Sequence, residues 1–454
     1  MQNLDSTVVA TALPTMAHAF GAPPLRMNVA LTSYMLSLAV FIPVSGWMAD
    51  RFGSRTVFRA AIVVFTIGSI LCGLANSLTF LVAARILQGA GGALMVPVGR
   101  LLLLRAVAKS ELVAAMAWLT VPALIGPVVG PPIGGFLATY ANWRWIFYLN
   151  VPIGILGVVL VTRYIADVRE PGAKRLDIRG LALSSLALAG LMIGLETAGR
   201  GVLPIAGTAG LLAVGAMAAA AFAWHARRYP EPLLDFSLLR LPTFAVSVTA
   251  GSLFRVGIGA IPFLLPLMLQ LGFHESAAQS GLVTFASSAG AIAMKPVAQV
   301  SLRRFGFRNT LIWNAVLSAL MLAVVALFRP SWPIAAIYAA LLVGGFVRSL
   351  QFTAYNTIAY ADIPRERMSA ATSLYSTLQQ LSLSLGITMG AAILEAMTAL
   401  RGHAQPTLED FSVGFLAVAA LALLAAPTAL ALPRDAGDEM SGHATAPARS
   451  SAAE

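Results

Sequence analysis

Asp5 places a carboxylate inside an apolar run, close to where the chain begins. A carboxyl group in a low-dielectric setting can take up and release a proton as its surroundings change, so Asp5 is a candidate proton-coupling residue. Arg85 lies about seven residues into another apolar run, roughly 10 Å deep at about 1.5 Å per residue, and at that depth a guanidinium needs an acidic or carbonyl partner. Asp50, Arg51 and Arg55 cluster where a third run meets a short loop. Topology-setting positive charge accounts for the arginines there but not for Asp50. Gly126, Gly130 and Gly134 recur every fourth residue, which puts them on one smooth helix face that a neighbouring helix can approach closely. Arg255 is about twelve residues into its run, roughly 18 Å at about 1.5 Å each, near the middle of a membrane. With Arg348 and Gln351 it forms a candidate lining for a substrate cavity, whereas Lys295, near the end of a run, can extend its amine toward the interface.

These residues need elements able to hold them in hydrocarbon. The chain has 454 residues, is 58% hydrophobic and 11% charged, and carries a formal net charge of +11. That composition excludes an ordinary soluble domain. Apolar runs of about 20 residues, each long enough for a helix to cross roughly 30 Å of hydrocarbon, recur throughout. They fall near 1–19, 27–48, 57–76, 78–99, 112–139, 143–164, 178–196, 202–224, 243–269, 277–297, 309–328, 332–357, 368–396 and 411–432. The expected fold is therefore an all-α polytopic membrane protein with fourteen transmembrane helices. With both termini cytoplasmic, Arg26, Arg144, Arg200, Arg329 and Arg401 fall outside and Arg85, Arg255, Lys295 and Arg348 fall within spans. The other 21 of the 30 basic residues face the cytoplasm. This asymmetry sets the orientation, because positive loops stay on the cytoplasmic side of the inner membrane. Arg51-Phe52-Gly53-Ser54-Arg55 recurs as Arg304-Phe305-Gly306-Phe307-Arg308, each time after the second helix of a six-helix set, with Arg303 where a second Asp50 would stand. A repeat of this kind predicts two bundles flanking a midplane site. The expected organisation is a first six-helix bundle over 1–164, two inserted helices over 165–241, a second six-helix bundle over 242–432, and an unstructured cytoplasmic tail over 433–454. The first span is interrupted by polar residues and reads as cut short, which places the true start upstream of Met1.

Several motifs, in order, carry a family resemblance. Asn3-Leu4-Asp5-Ser6-Thr7-Val8-Val9 with Ala12-Leu13-Pro14 resembles the first-helix signature of the fourteen-helix drug:proton antiporters (EmrB/QacA type) of the major facilitator superfamily. Gly46-Trp47-Met48-Ala49-Asp50-Arg51-Phe52-Gly53-Ser54-Arg55 resembles that superfamily's loop between helices two and three, and Arg85-Ile86-Leu87-Gln88-Gly89-Ala90-Gly91-Gly92 its fourth-helix motif. Gly126-Pro127-Val128-Val129-Gly130-Pro131-Pro132-Ile133-Gly134-Gly135 resembles the antiporter motif, and Trp143-Arg144-Trp145-Ile146-Phe147-Tyr148-Leu149-Asn150-Val151-Pro152 completes the set. The resemblance implies that Arg85 shares in proton transfer or tunes a carboxylate. It also implies that the loop residues Gly46, Asp50, Arg51, Gly53 and Arg55 lock one access state through a charge relay. Gly126, Pro127, Gly130, Pro131, Gly134 and Gly135 would then make a bendable seal against leak.

Other chemistries find no residues to support them. The three lysines follow Ala108, Ala173 and Met294, so there is no Gly-Lys-Ser/Thr phosphate loop for ATP. Cys72 is the sole cysteine, and His18, His225, His274, His403 and His443 read as loop or tail residues, so no metal site, cofactor or covalent catalysis is expected. Scattered arginines argue against nucleic acid. The expectation is a monomeric secondary transporter that uses the proton gradient to export small amphipathic molecules or drugs, with or without a periplasmic adaptor protein. The alternatives are export of an anionic metabolite, to which unmatched Arg255 and Arg348 point, or a membrane sensor or scaffold on the same fold that no longer transports.

Overall fold

A computed structural model describes residues 1–21, 24–166, 175–197, 204–403 and 405–443. Its α-helices are α1 (Gln2–Phe20), α2 (Pro24–Phe41), α3 (Ser45–Phe52), α4 (Ser54–Gly73), α5 (Leu78–Ala106), α6 (Leu112–Leu119), α7 (Val121–Tyr140), α8 (Trp145–Tyr148), α9 (Asn150–Tyr164), α10 (Ile178–Thr197) and α11 (Ile205–Arg228). The second part of the chain continues with α12 (Pro242–Gly259), α13 (Ile261–Leu267), α14 (Ala277–Ala293), α15 (Ala298–Ala326), α16 (Ile334–Ile358), α17 (Met368–Leu400), α18 (Leu408–Leu423), α19 (Ala425–Ala429) and α20 (Asp438–Ser441). No strand occurs among the described residues.

Among the described residues, eleven stretches are long and apolar enough to span a membrane, one of which, Gln279–Ala326, holds two crossings, most of α14 and all of α15. With α1 and α7, which fall outside those stretches, fourteen crossings fit. Many crossings are broken rather than straight. A 3₁₀ turn at Ile42–Val44, with Pro43 in its first turn, separates α2 from α3, and a π turn over Met268–Gly272 follows Pro266. Such irregular backbone survives in a membrane when neighbouring helices supply what the broken ladder loses. Large apolar side chains such as Ile155, Leu156 and Val159 point outward, as a lipid-facing surface requires.

α4 packs on α5, α1 on α7 and α2, and α9 on α4, giving one bundle. α12, α15, α16, α17 and α18 make a second, with α14 against α16. α10 and α11 form a tight pair whose α10 leans on α2 and α17. The two bundles are tied together at the arginine-rich end, where α17 lies against α3 and α5 and where α6 meets α15 and α16.

The repeated loop is a backbone feature as well as a string of letters. Gly53 has φ 89° and ψ 134°, and Gly306 has φ 71° and ψ 168°, which breaks α15 into two helical pieces. A side chain is strained in either conformation, which is the physical reason for glycine at both places.

Three expectations need correcting. Arg100 and Arg105 are not loop charges, because α5 runs on to Ala106, and Arg100 is buried between the bundles. Residues 433–443 are not unstructured: α20 folds back on α15, burying Met440 and Ser441, while Gln299 Nε2 donates to the Ser441 carbonyl (3.3 Å) and His443 Nδ1 lies 2.8 Å from the Arg303 carbonyl. Polar composition suggested disorder, but a single buried methionine and backbone acceptors suffice to dock so short a segment. His18 and His225 are helical, on α1 and α11, and not in loops.

We expect Gly53→Ala and Gly306→Ala each to destabilise the protein by about 1–2 kcal/mol, since each forces a Cβ into a left-handed backbone. Thermal unfolding of the detergent-solubilised protein measures this, and Gly135→Ala, where an added Cβ meets nothing within 4 Å, is the control that should leave the midpoint unchanged.

Candidate functional site

Asp5 and Arg85, from two different helices of the first bundle, meet. Arg85 NH1 donates to Asp5 Oδ2 at 2.5 Å, and both side chains are 0% exposed. α1 carries the acid in its first turn and α5 carries the base about two turns from its start, and the close packing of both on α2 brings them together. Arg85 Nε donates to the Ala30 carbonyl at 3.1 Å and the guanidinium lies 4.1 Å above the Tyr34 ring. Arg85 therefore does not reach for the membrane surface.

Two amides that carried no role in the sequence reading complete the site. Gln88 Nε2 donates to Asp5 Oδ1 (2.8 Å) and to Ser69 Oγ (2.7 Å), while its Oε1 accepts from Arg85 NH1 (2.6 Å). Asn150 Nδ2 donates to Asp5 Oδ1 at 3.0 Å. Asn150 and Gln88 are both buried, at 1% and 0% exposure. Asp5 thus receives three donors from two other helices. A signal for both was present: amide side chains inside apolar runs are costly unless partnered, and each lies within a quoted motif. What the sequence did not supply was the pairing.

The antiporter motif sits behind this site. α7 remains helical through positions 127, 131 and 132, and Gly130 lets α1 come so near that a Cβ there would fall 2.1 Å from Thr7 Oγ1. Thr7 Oγ1 donates to the Gly126 carbonyl at 3.2 Å. Gly134 is buried and Gly135 half-exposed; the side chains of Pro127 and Pro131 lie outside the described residues. The helix that approaches the glycine face is therefore the one bearing Asp5.

At the arginine-rich end, Asp50 does not pair within its own loop. Arg105 NH2 donates to Asp50 Oδ1 at 3.0 Å and Arg105 NH1 to Ser54 Oγ at 2.7 Å. Arg51 is exposed and Arg55 donates to the Thr162 carbonyl. The second Asp50 oxygen accepts from Ser369 of the other bundle, and Ser373 Oγ accepts from Gly46 N–H at 2.7 Å and lies 2.9 Å from Ser45 Oγ. Gly46 is required by this approach, because a Cβ would stand 2.6 Å from the Ser369 carbonyl oxygen. The loop thus grips α17 while its own charges are balanced inside the first bundle.

The three residues expected to line one cavity face three directions. Arg255 donates to the Tyr375 hydroxyl and lies 4.7 Å from that ring and 5.7 Å from Phe352. Arg348 NH2 donates to Ser287 Oγ on α14 at 2.6 Å. Gln351 Nε2 donates to the Leu311 carbonyl at 2.9 Å and its Oε1 accepts from Asn314 at 3.0 Å, so it is spoken for by α15. Helical spacing put Arg348 and Gln351 within one turn of each other, but three residues advance about 300°, and α16 is packed on both sides. Lys295 is also not at the interface: it is 3% exposed and donates to Thr353 Oγ1 at 3.1 Å. No metal-ligating cluster occurs among the described residues.

The profile of the Major Facilitator Superfamily matches residues 1–387 and 250–453. This chain belongs to the Major Facilitator Superfamily. It is 40% identical over 401 residues to "Putative multidrug resistance protein MdtD" of Serratia proteamaculans, covering 87% of this chain and 82% of that protein. The protein of the same name from Klebsiella pneumoniae is 38% identical over 448 residues, covering 96% and 93%. Among solved structures, the human organic anion transporter MFSD10 superposes with a TM-score of 0.65 at 15% identity, covering 94% of this chain and 96% of that one. The proton:xylose symporter XylE bound to 6-bromo-6-deoxy-D-glucose gives 0.64 at 15% identity, covering 96% and 94%. At such identity these two establish the shared fold. The chain is accordingly a multi-pass membrane transporter, with relatives named for multidrug resistance.

A buried ion pair is fragile when halved. We expect Arg85→Met to destabilise the protein by about 3–5 kcal/mol by stranding Asp5, and Arg85→Met combined with Asp5→Leu to recover most of that loss. Unfolding midpoints of the single and double variants measure the difference; a double variant no more stable than Arg85→Met would show that the pair is not the origin of the effect.

Proposed function

We propose that this transporter exports small amphipathic molecules or drugs across the inner membrane in exchange for protons, by alternating access, with the arginine-rich end and both termini in the cytoplasm. The observation that carries the reading is the Asp5–Arg85 pair. Asp5 is a carboxylate wholly enclosed by donors, at 0% side-chain exposure in hydrocarbon-spanning helices. Protonation would remove its charge, release Arg85 and loosen contacts with Gln88 and Asn150, so a proton would alter how α1, α5 and α9 hold together. Arg85 tunes and answers that event. Gly126, Gly130 and Gly134 let α7 slide against the same α1, so the antiporter seal and the proton site share a helix. Asp50, Arg51 and Arg55 with Gly46 and Gly53 are the lock of the cytoplasmic-closed state. The proton gradient is the energy source, no cofactor takes part, and the protein works as a monomer, with or without a periplasmic adaptor.

We expect Asp5→Asn to leave the protein inserted and folded while abolishing proton-coupled export, because the amide keeps the size of the side chain and loses its titration. Efflux of a fluorescent substrate with and without an uncoupler reads this out, and undiminished uncoupler-sensitive efflux from the variant refutes the assignment.

A second reading of the cargo rests on Arg255, which is 1% exposed, has no ion pair among the described residues, and leaves Nε and NH1 without hydrogen-bond partners. If the transport path opens at the seam where Arg255 rests on Tyr375, its unmatched guanidinium would favour anionic cargo over lipophilic cations. With a matched anionic and cationic dye pair, this reading expects Arg255→Gln to lower anion efflux selectively by about tenfold, the effect of about 1.4 kcal/mol. A cation preference that the substitution leaves untouched removes it.

A further inference from the structure

The seam between the two bundles at the arginine-rich end contains two cations from opposite sides and, among the described residues, no acid that reaches either of them. Arg100, on α5 of the first bundle, is 5% exposed, and Arg255, on α12 of the second, is 1% exposed. Both lie against the ring of Tyr375 on α17, with guanidinium carbons 5.3 Å and 4.7 Å from its centroid. Arg255 also donates to the Tyr375 hydroxyl, which lies 3.3 Å from Ser247 Oγ. Arg100 NH1 reaches the Tyr360 hydroxyl at 3.4 Å and Arg100 NH2 the Gln379 side chain at 3.2 Å, both weak contacts of neutral groups across the seam. Tyr360 and Phe244 flank the Tyr375 ring, at 5.8 Å and 6.2 Å between centroids, so the ring cannot turn away.

Two like charges held this close and this dry repel one another. Hydrogen bonds to hydroxyl and amide oxygens do not cancel that repulsion, because those groups carry no net charge. An aromatic face does attract a cation, most strongly when water is excluded, and one ring can serve two cations. We propose that Tyr375 is a positioning residue for the transport cycle: its ring is the shared counter-surface that lets Arg100 and Arg255 approach, and so lets the two bundles close at the arginine-rich end without an anion. Opening that end carries Arg100 away with the first bundle while Arg255 stays with Tyr375, so repulsion between the cations assists opening and the ring opposes it. The gate is poised by the difference of two modest terms.

This inference rests on the alternating-access reading, and its test separates the two. In a Cys72→Ala background, Ser373→Cys places a thiol where α17 touches Gly46 across the seam, buried when the end is closed. The rate of its labelling by a membrane-impermeant maleimide, applied from the arginine-rich side of vesicles, reports opening. Tyr375→Leu should raise that rate about tenfold, and Tyr375→Phe, which keeps the ring, should stay within about twofold of the parent. The decisive arm repeats Tyr375→Leu on Arg255→Gln: with one charge gone, losing the ring should change labelling by no more than about twofold. A ring that merely fills space would open the gate equally in both backgrounds, and that result overturns the proposal, as does a tenfold effect of Tyr375→Phe. Unchanged labelling of the parent under opposite imposed pH gradients would overturn the alternating-access reading itself and this inference with it.

Discussion

A carboxylate and a guanidinium, buried together at a depth where neither tolerates solitude, organise the first half of this protein. Asp5 on α1 and Arg85 on α5 hold each other, and their remaining hydrogen-bonding capacity draws in α2 through the Ala30 carbonyl, α4 through Ser69 by way of Gln88, and α9 through Asn150. Hydrocarbon offers no substitute for any of these partners, so the network determines how five helices sit. The same dependence makes the site responsive. Removing the charge on the one carboxylate changes the interactions of several donors at once, which is what the proposed proton coupling calls for.

The second half repeats the architecture but not the electrostatics. Its loop has Arg303 where the first half has Asp50, and its buried cations Arg255, Arg348 and Lys295 rest on tyrosine, serine and threonine oxygens. The repeat therefore preserves what the backbone demands, shown by positive φ at Gly53 and at Gly306, while charge has been distributed anew. The first bundle pairs Asp5 with Arg85 and Asp50 with Arg105, whereas the buried cations Arg255, Arg348 and Lys295 of the second are left to aromatic and hydroxyl groups.

That difference bears on how the halves separate. The pairs Asp5–Arg85 and Asp50–Arg105 each lie within the first bundle and travel with it. Contacts across the seam, from Ser369 to Asp50, from Gly46 to Ser373 and from Arg100 to Tyr360, involve at least one uncharged partner. The Lys109–Glu439 ion pair, which ties the first bundle to the terminal segment, has both side chains more than half exposed and contributes little. Strong interactions inside rigid bodies and weaker ones between them are what rocking requires.

Most of the fold was legible in the chain because hydrocarbon enforces it locally. A run of about 20 apolar residues has to be a helix, and a bias of arginine to alternate loops has to reflect sidedness. Glycine in Arg-Phe-Gly announced the repeat because no other residue accepts that backbone. The candidate acid Asp5 was legible too, as was the need of Arg85 for an acidic or carbonyl partner, from the cost of charge in a span. Partner choice was not. Asp50 to Arg105, Gln351 to Asn314 and Tyr375 between Arg100 and Arg255 join residues 37 to 275 positions apart in sequence, and each depends on which helix faces turn toward one another. That is settled by the packing of whole bundles, in which side chains of identical type and similar depth end up against lipid, against a neighbour or across the seam according to a rotation that no local pattern records.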